Sequence, residues 1–381
     1  MDALHAWAWR PDGGPAPAPA DGPLSGFVLG VKDVIDVAGM PTRCGSPLTA
    51  PDPAAADAPA VARLRAAGAV IAGKTRCTEW ALNDPAPTLS PWDTDRTPGG
   101  SSAGSAVAVA TGGCTATVDT QTAGDVVRPA AYNGVVGLKP TAGWAPTAGG
   151  RAVAPSIDTL GVLARHVRDA AAVAAAIADR PARFAPPGRA AAPRIGVLRD
   201  PFTDRVGDAV RACLARAVRA FSAAGADVQD VSTGVDLAAV HAAHRVITFA
   251  ECASLHRRRY RDHAERYGPR ARELIERGLG TPVRDLQDAG AVRRDAAERL
   301  GSLLEGLDAL LVPAVPEPAP PRATTGDSRL QIPWTLCGLP SLALPAGTAG
   351  PLPLGVQLVA ARNAEPELIA AAAWCEQVIG N

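Results

Sequence analysis

The stretch from Arg194 to Val231 sets the fold class. It reads as a strand at Arg194–Leu198, a helix at Asp208–Ala224 and a second strand at Asp227–Val231. Strand, helix and strand in succession imply a crossover, in which the helix covers a sheet shared by two parallel strands. Strand signals recur at Ala69–Ala72, Ala116–Thr120, Ala309–Val312, Ser341–Pro345 and Gly355–Val359, with helical patterns at Ala58–Ala67, Arg165–Asp179 and Glu365–Ile379. Residues 236–305 are charged and helical. Strands alternating with helices predict an α/β fold. The expected domain spans residues 25–381: a mixed, mostly parallel, twisted sheet sandwiched between helices, with a variable helical segment at 236–305. Residues 11–24 (PDGGPAPAPADGPL) are rich in Pro, Ala and Gly, so 1–24 is expected to be an irregular N-terminal segment. Residues 180–192 (RPARFAPPGRAAA) read as a linker.

Charge and composition narrow the function classes. The 381 residues carry 38 basic and 38 acidic side chains, a formal charge of zero. Nucleic-acid binders carry a basic surplus or stripe, so no nucleic-acid partner is expected. No apolar run reaches membrane-spanning length and no secretory segment is visible, so no membrane partner is expected either. Seven cysteines without a CxxC pair indicate reduced thiols and a cytoplasmic location. His241 and His244 share a helical spacing but lack further ligands, and no HExxH occurs, so no metal is expected. No GxGxxG follows the Arg194–Leu198 strand, and no cofactor is expected. Only three of the 38 cations are lysine: Lys32, Lys74 and Lys139. A lysine can act as a neutral base where an arginine cannot, which makes each of the three a candidate functional position.

Two loops are dense in small residues, GGSSAGS (99–105) and TAGD (122–125). Small residues let backbone N–H groups converge on an anion. Alone, either loop could be a plain turn; their order and surroundings say more. The segments GVKDVIDVAGMPT (30–42), PGGSSAGSAVAVATGG (98–113), QTAGDVVRPAAYNGVVGLKPT (121–141), DTLGVLAR (158–165), DALLVPAVP (308–316), GLPSLALPAG (338–347) and LPLGVQLVA (352–360) occur in sequence. In these segments the chain resembles the amidase signature family, whose members are Ser–cis-Ser–Lys hydrolases, usually of amides. The resemblance implies Lys32 as the base and Ser101 as the middle serine of the triad. It places the oxyanion hole at the backbone of Thr122, Ala123 and Gly124. Ser102 and Arg128 are possible supporting residues. A small-molecule substrate is implied, and the oligomeric state, monomer or homodimer, stays open.

A serine hydroxyl is a poor nucleophile until a neighbour takes its proton, and a neutral, desolvated lysine can do so through a bridging hydroxyl. The chain departs from this scheme at one position. The nucleophilic serine belongs 24 residues after Ser101, where this sequence has Asp125. A carboxylate there favours a protonated Lys32 as its ion-pair partner and opposes an oxyanion in the hole. The resemblance therefore implies an enzyme acting on a C–N (amide-type) bond of a small organic molecule, with ordinary hydrolysis impaired or the chemistry altered. Three explanations stay open: a hydrolase disabled by a serine-to-aspartate change, other work by Asp125 as acid/base or as anchor for a cationic group, and Ser101 as nucleophile. A pseudo-amidase that only binds a ligand or partner is the alternative.

Other residues read more plainly. Lys74 is a strand-end lysine near a loop, a salt-bridge partner or a substrate contact. Lys139 is structural, and Arg128 pairs with a carboxylate, Asp119 or Asp125. The run RRRYR (257–261) reads as a solvated helix face, and Cys337 as a buried, inert thiol.

Overall fold

A computed structural model of the chain describes residues 2–18, 21–180, 184 and 192–380. Residues 181–183 and 185–191 of the expected linker lie outside the described residues. The strands are β1 (Trp7–Trp9), β2 (Val28–Lys32), β3 (Val70–Thr75), β4 (Ala116–Gln121), β5 (Val136–Lys139) and β6 (Thr159–Ala164), followed by β7 (Arg194–Leu198), β8 (Asp227–Val231), β9 (Ala309–Pro313), β10 (Ser341–Ala349) and β11 (Leu352–Val359). All belong to one sheet, in the order β1-β3-β2-β4-β6-β5-β10-β11-β9-β7-β8. The fold is a single α/β domain built on this mixed sheet.

The parallel share is smaller than expected. Among the described residues only four of the ten strand pairs are parallel, in two triplets, β3–β2–β4 and β9–β7–β8. The strands between them pair antiparallel. The reason shows best at β10 and β11. Only Gly350 and Pro351 separate them, Gly350 has φ +58°, and a connection that short can join only antiparallel neighbours. The N-terminus also departs from expectation, because Trp7–Trp9 is a strand within the segment read as irregular. It pairs antiparallel with Lys74 and Thr75 at the sheet edge. Trp7 is buried there, with the Arg10 guanidinium 4.9 Å above its ring, so an aromatic anchor overrides the surrounding prolines.

Helices cover both faces of the sheet. Neighbouring residues on one strand contribute to different apolar clusters, Ile71 against Ala72, Val162 against Leu163 and Leu342 against Ala343, as the two-residue period of a strand requires. One face holds two short buried helices, Ala103–Ala110 and Val127–Asn133. Small residues let them sit close: a Cβ on Gly104 would lie 2.1 Å from the Ala6 carbonyl oxygen. Helices Val167–Ile177, Asp208–Ala223 and Glu365–Ile379 cover the other face. Residues 237–304 form three further helices, Leu237–His263, Pro269–Leu279 and Val283–Leu304. The first two cross so tightly at Gly278 that a Cβ would meet the Phe249 carbonyl oxygen at 1.9 Å. Among the described residues no helix is long and apolar enough to cross a membrane.

Lys74 proves to be half of a buried ion pair. Its Nζ lies 3.1 Å from Asp33 Oδ1, 3.2 Å from the Pro41 carbonyl and 3.0 Å from Thr42 Oγ1, with both charged side chains shielded from solvent. The pair ties β3 to the turn leaving β2, one residue beyond Lys32. Burial raises the Asp33 carboxyl, and Lys74 opposes that rise. Lys74→Met strands a buried carboxylate, and removing one partner of such a pair costs about 3–5 kcal/mol. Urea titration should show this loss, and the double variant Lys74→Met/Asp33→Leu should recover part of it.

Candidate active site

The site forms where the parallel strands β2 and β4 end side by side. Lys32 is the last residue of β2. The loop after β4 carries residues 122–126, and the Gly/Ser loop before helix Ala103–Ala110 crosses in front of both, with a cis peptide bond between Gly100 and Ser101. Lys32 Nζ donates to Ser101 Oγ at 2.6 Å, and Ser101 Oγ donates to Asp125 Oδ1 at 3.1 Å. The structure thus brings Lys32, Ser101 and Asp125 into one chain of contacts. The ion pair expected between Lys32 and Asp125 is not direct, because the Ser101 hydroxyl stands between the two charges.

Asp125 is held by four donors. Its Oδ1 also accepts from the Ser101 amide at 3.0 Å, and its Oδ2 accepts from the amides of Thr122 (3.0 Å) and Ala123 (2.9 Å). A carboxylate offers about four lone-pair sites, so this one is saturated. Burial alone would raise the carboxyl. Lys32, Arg128 and the Ala123 and Thr122 amides outweigh burial and hold it below the usual carboxylate range. Lys32 Nζ also donates to the Thr120 carbonyl at 3.1 Å and to Thr120 Oγ1 at 3.0 Å. Three acceptors match the three donors of an ammonium.

The remaining predicted residues fall nearby in different roles. Gly124 carries no amide contact to Asp125, and a Cβ there would meet Gln331 Oε1 at 2.6 Å. Arg128 forms no ion pair with Asp119 or Asp125. Its Nη2 donates to the Gly100 carbonyl at 2.6 Å, bracing the loop that bears Ser101, because helix Val127–Asn133 points it that way. Ser102 is buried beside the Asp119 carboxyl, away from Asp125. Lys139 donates to the Pro140 and Leu339 carbonyls and stands apart from the site. Cys337 is buried and its thiol is pushed up to about 12 by burial, an unreactive state.

Sequence reasoning missed a second set of residues, which fix the 122–125 loop from behind. Thr122 Oγ1 donates to Asp158 Oδ1 at 2.6 Å, and burial raises that carboxyl to about 6. His244 Nε2 donates to the Thr122 carbonyl at 2.9 Å, and Thr335 Oγ1 donates to the Ala123 carbonyl at 2.7 Å. Gln121 Oε1 accepts from the amides of Val126 and Val127 at 2.9 and 3.1 Å. The one available signal was the His241/His244 spacing, which suits a shared helix face as well as a metal. Among the described residues no group of three His, Cys, Asp or Glu side chains converges as a metal site would. A cavity of about 320 Å³ opens onto Thr122, Ala123 and Asp125, with His244, Arg245 and Phe249 on its wall.

Residues 2–369 match the family described as Amidase, and the chain belongs to that family. Among its relatives, a glutamyl-tRNA(Gln) amidotransferase subunit of Roseiflexus sp. (strain RS-1) is 34% identical over 386 residues, covering 88% of this chain and 79% of the relative. The crystal structure of an amidase superposes with a TM-score of 0.88 at 32% identity, covering 98% of this chain and 92% of that one. A chain from a vestigial protein complex, studied for the evolutionary origins of an s-triazine catabolic enzyme, superposes with a TM-score of 0.89 at 29% identity, covering 100% and 92%.

Burial lowers the His244 ring to about 4. The native protein therefore holds this ring neutral while the unfolded chain takes up a proton near 6.5. Its contribution is full above 6.5 and is lost as pH falls toward 4. His256 is lowered to about 4 in the same way, so it adds to the slope. His244→Gln keeps a donor for the Thr122 carbonyl and removes the titration of this one ring. Between pH 7 and 4.5 the variant should lose about 2–3 kcal/mol less stability than the parent, read by urea denaturation at both values.

Proposed function

We propose that this chain is an amidase-family protein whose site addresses the C–N (amide-type) bond of a small organic molecule but is blocked from ordinary serine-type hydrolysis by Asp125. The observation that carries this reading is the position of Asp125 Oδ2, which takes the Thr122 and Ala123 amides at 3.0 and 2.9 Å. A tetrahedral intermediate needs such donors for its oxyanion, and loss of a single one typically costs about 3–4 kcal/mol in the transition state. Here both are engaged by a fixed negative charge.

The same contacts weigh against the other uses of the site. Ser101 as nucleophile would need a base and an open hole. Its oxygen accepts from Lys32 and its proton points to Asp125. Asp125 as anchor for a cationic ligand would need a free oxygen, and both of its oxygens already accept two donors. The seven cysteines are all buried free thiols, which supports the reduced, cytoplasmic compartment read from the sequence.

Asp125→Ser tests the reading. Shortening the side chain empties the hole and removes the carboxylate that accepts from Ser101. Turnover of a panel of small primary amides should rise at least about 1,000-fold over the parent, the range expected when a nucleophile and oxyanion donors are restored together. Parent turnover equal to that of the variant would overturn the block, and an inert but folded variant would overturn the idea of an otherwise intact site. The change also removes a saturated carboxylate, so the variant should be less stable by about 1–3 kcal/mol in urea.

A further inference from the structure

The cavity at Asp125 has a larger neighbour. A second cavity, of about 530 Å³, lies at the ends of β7 and β8 against the start of helix Leu237–His263. His241 and Arg329 line both cavities. One face of the helix runs across the pair: Leu237 and Ala238 border the second cavity, His241 both, and His244, Arg245, Thr248 and Phe249 the first. These residues recur at the helical spacing that puts them on one stripe. The two hollows therefore adjoin along one helix face, and they meet at His241 and Arg329, whose Nε2 and carbonyl are hydrogen-bonded at 2.9 Å.

The second section differs from the first in chemistry. Phe202, Val235 and Leu237 give it an apolar lining, and the Phe202 ring lies 5.0 Å from that of His241. Its two carboxylates already have donors. Asp200 accepts from Ser232 and from the backbone and side chain of Thr233, and Asp236 caps the helix through the Ala238 and Ala239 amides. Arg329 is tied to Asp327 and to the Arg205 carbonyl, yet its Nε is buried without an acceptor among the described residues. Arg205 borders the cavity, is solvent-exposed, and its side chain has no hydrogen-bond or ion-pair partner among the described residues. An apolar slot ending in unanswered guanidinium donors suits a carboxylate on an apolar stem.

We propose that this second cavity is an extension subsite for the distal end of the ligand, and that it takes an apolar chain terminated by a carboxylate. The ligand class is then an amide with a carboxylate at the far end of an apolar spacer, its amide in the cavity beside Asp125 and its carboxylate at Arg205. The assignment rests on the reading that the Asp125 cavity receives an amide-type ligand.

Calorimetry on the unaltered chain with a series of ω-carboxy primary amides (succinamate, adipamate, suberamate and sebacamate) tests this against neutral alkanamides of equal length. At least one member of the series should bind ten-fold or more tighter than its neutral counterpart. Arg205→Met should abolish that advantage and leave alkanamide binding unchanged, while Phe202→Ala weakens both. Equal binding of acids and neutral amides, no binding of any acid, or an advantage that survives Arg205→Met overturns the subsite. Hydrolysis of octanamide by Asp125→Ser is scored separately. An inert variant with an intact Arg205-dependent preference removes the hydrolytic reading alone, and an active variant without that preference removes the subsite alone.

Discussion

Everything at the centre of this molecule depends on where a single buried negative charge is balanced. Asp125 is buried, and an uncompensated carboxylate there would be prohibitively costly. Four hydrogen bonds, Lys32 through the Ser101 hydroxyl, and the field of Arg128 meet that requirement together. None of the three loops involved could move without leaving a charge or a backbone amide unanswered. The result is a site that is rigid because it is electrostatically complete.

That completeness is built on sheet topology. Strands β2 and β4 run parallel and end together, which puts Lys32 and the 122–125 loop on the same rim, the usual place for a site in an open α/β sheet. Helices Ala103–Ala110 and Val127–Asn133 begin at that rim, so the segments entering them present backbone N–H groups toward Asp125. The Lys74–Asp33 pair lies just behind and keeps the turn after Lys32 from shifting. Both buried lysines of this region thus act through geometry, one as a brace and one as a donor to three oxygens.

Much of this was legible in the chain itself, and the limits have physical causes. The motif order pointed to the family and, with it, to Lys32, Ser101 and residue 125 as neighbours, because motifs preserve short-range loop chemistry. The strand-helix-strand unit at 194–231 was legible because helix and strand periods differ. The antiparallel centre of the sheet was not, since strand direction depends on connections such as Gly350–Pro351 rather than on the strands. Asp158, His244 and Thr335 were invisible for a related reason. They lie 36, 122 and 212 residues from the loop atoms they hold, and no local pattern reports a contact at that separation. Trp7–Trp9 was hidden by its surroundings, where prolines suggested disorder that one buried indole overrides.

The bracing residues also hold the loop whose amides Asp125 engages. Asp158, His244 and Thr335 hold the Thr122 hydroxyl and the Thr122 and Ala123 carbonyls, while Asp125 takes the two amides. A buried amide without an acceptor is destabilising by about 1–3 kcal/mol, so an empty hole in the resting protein is a standing cost that water or substrate must relieve. Asp125 relieves it from within. The contacts that remove the strain are those a transition state would need, so stability of the loop and serine-type catalysis are alternatives at this position. On the proposed reading, the balance in this chain falls on the side of stability.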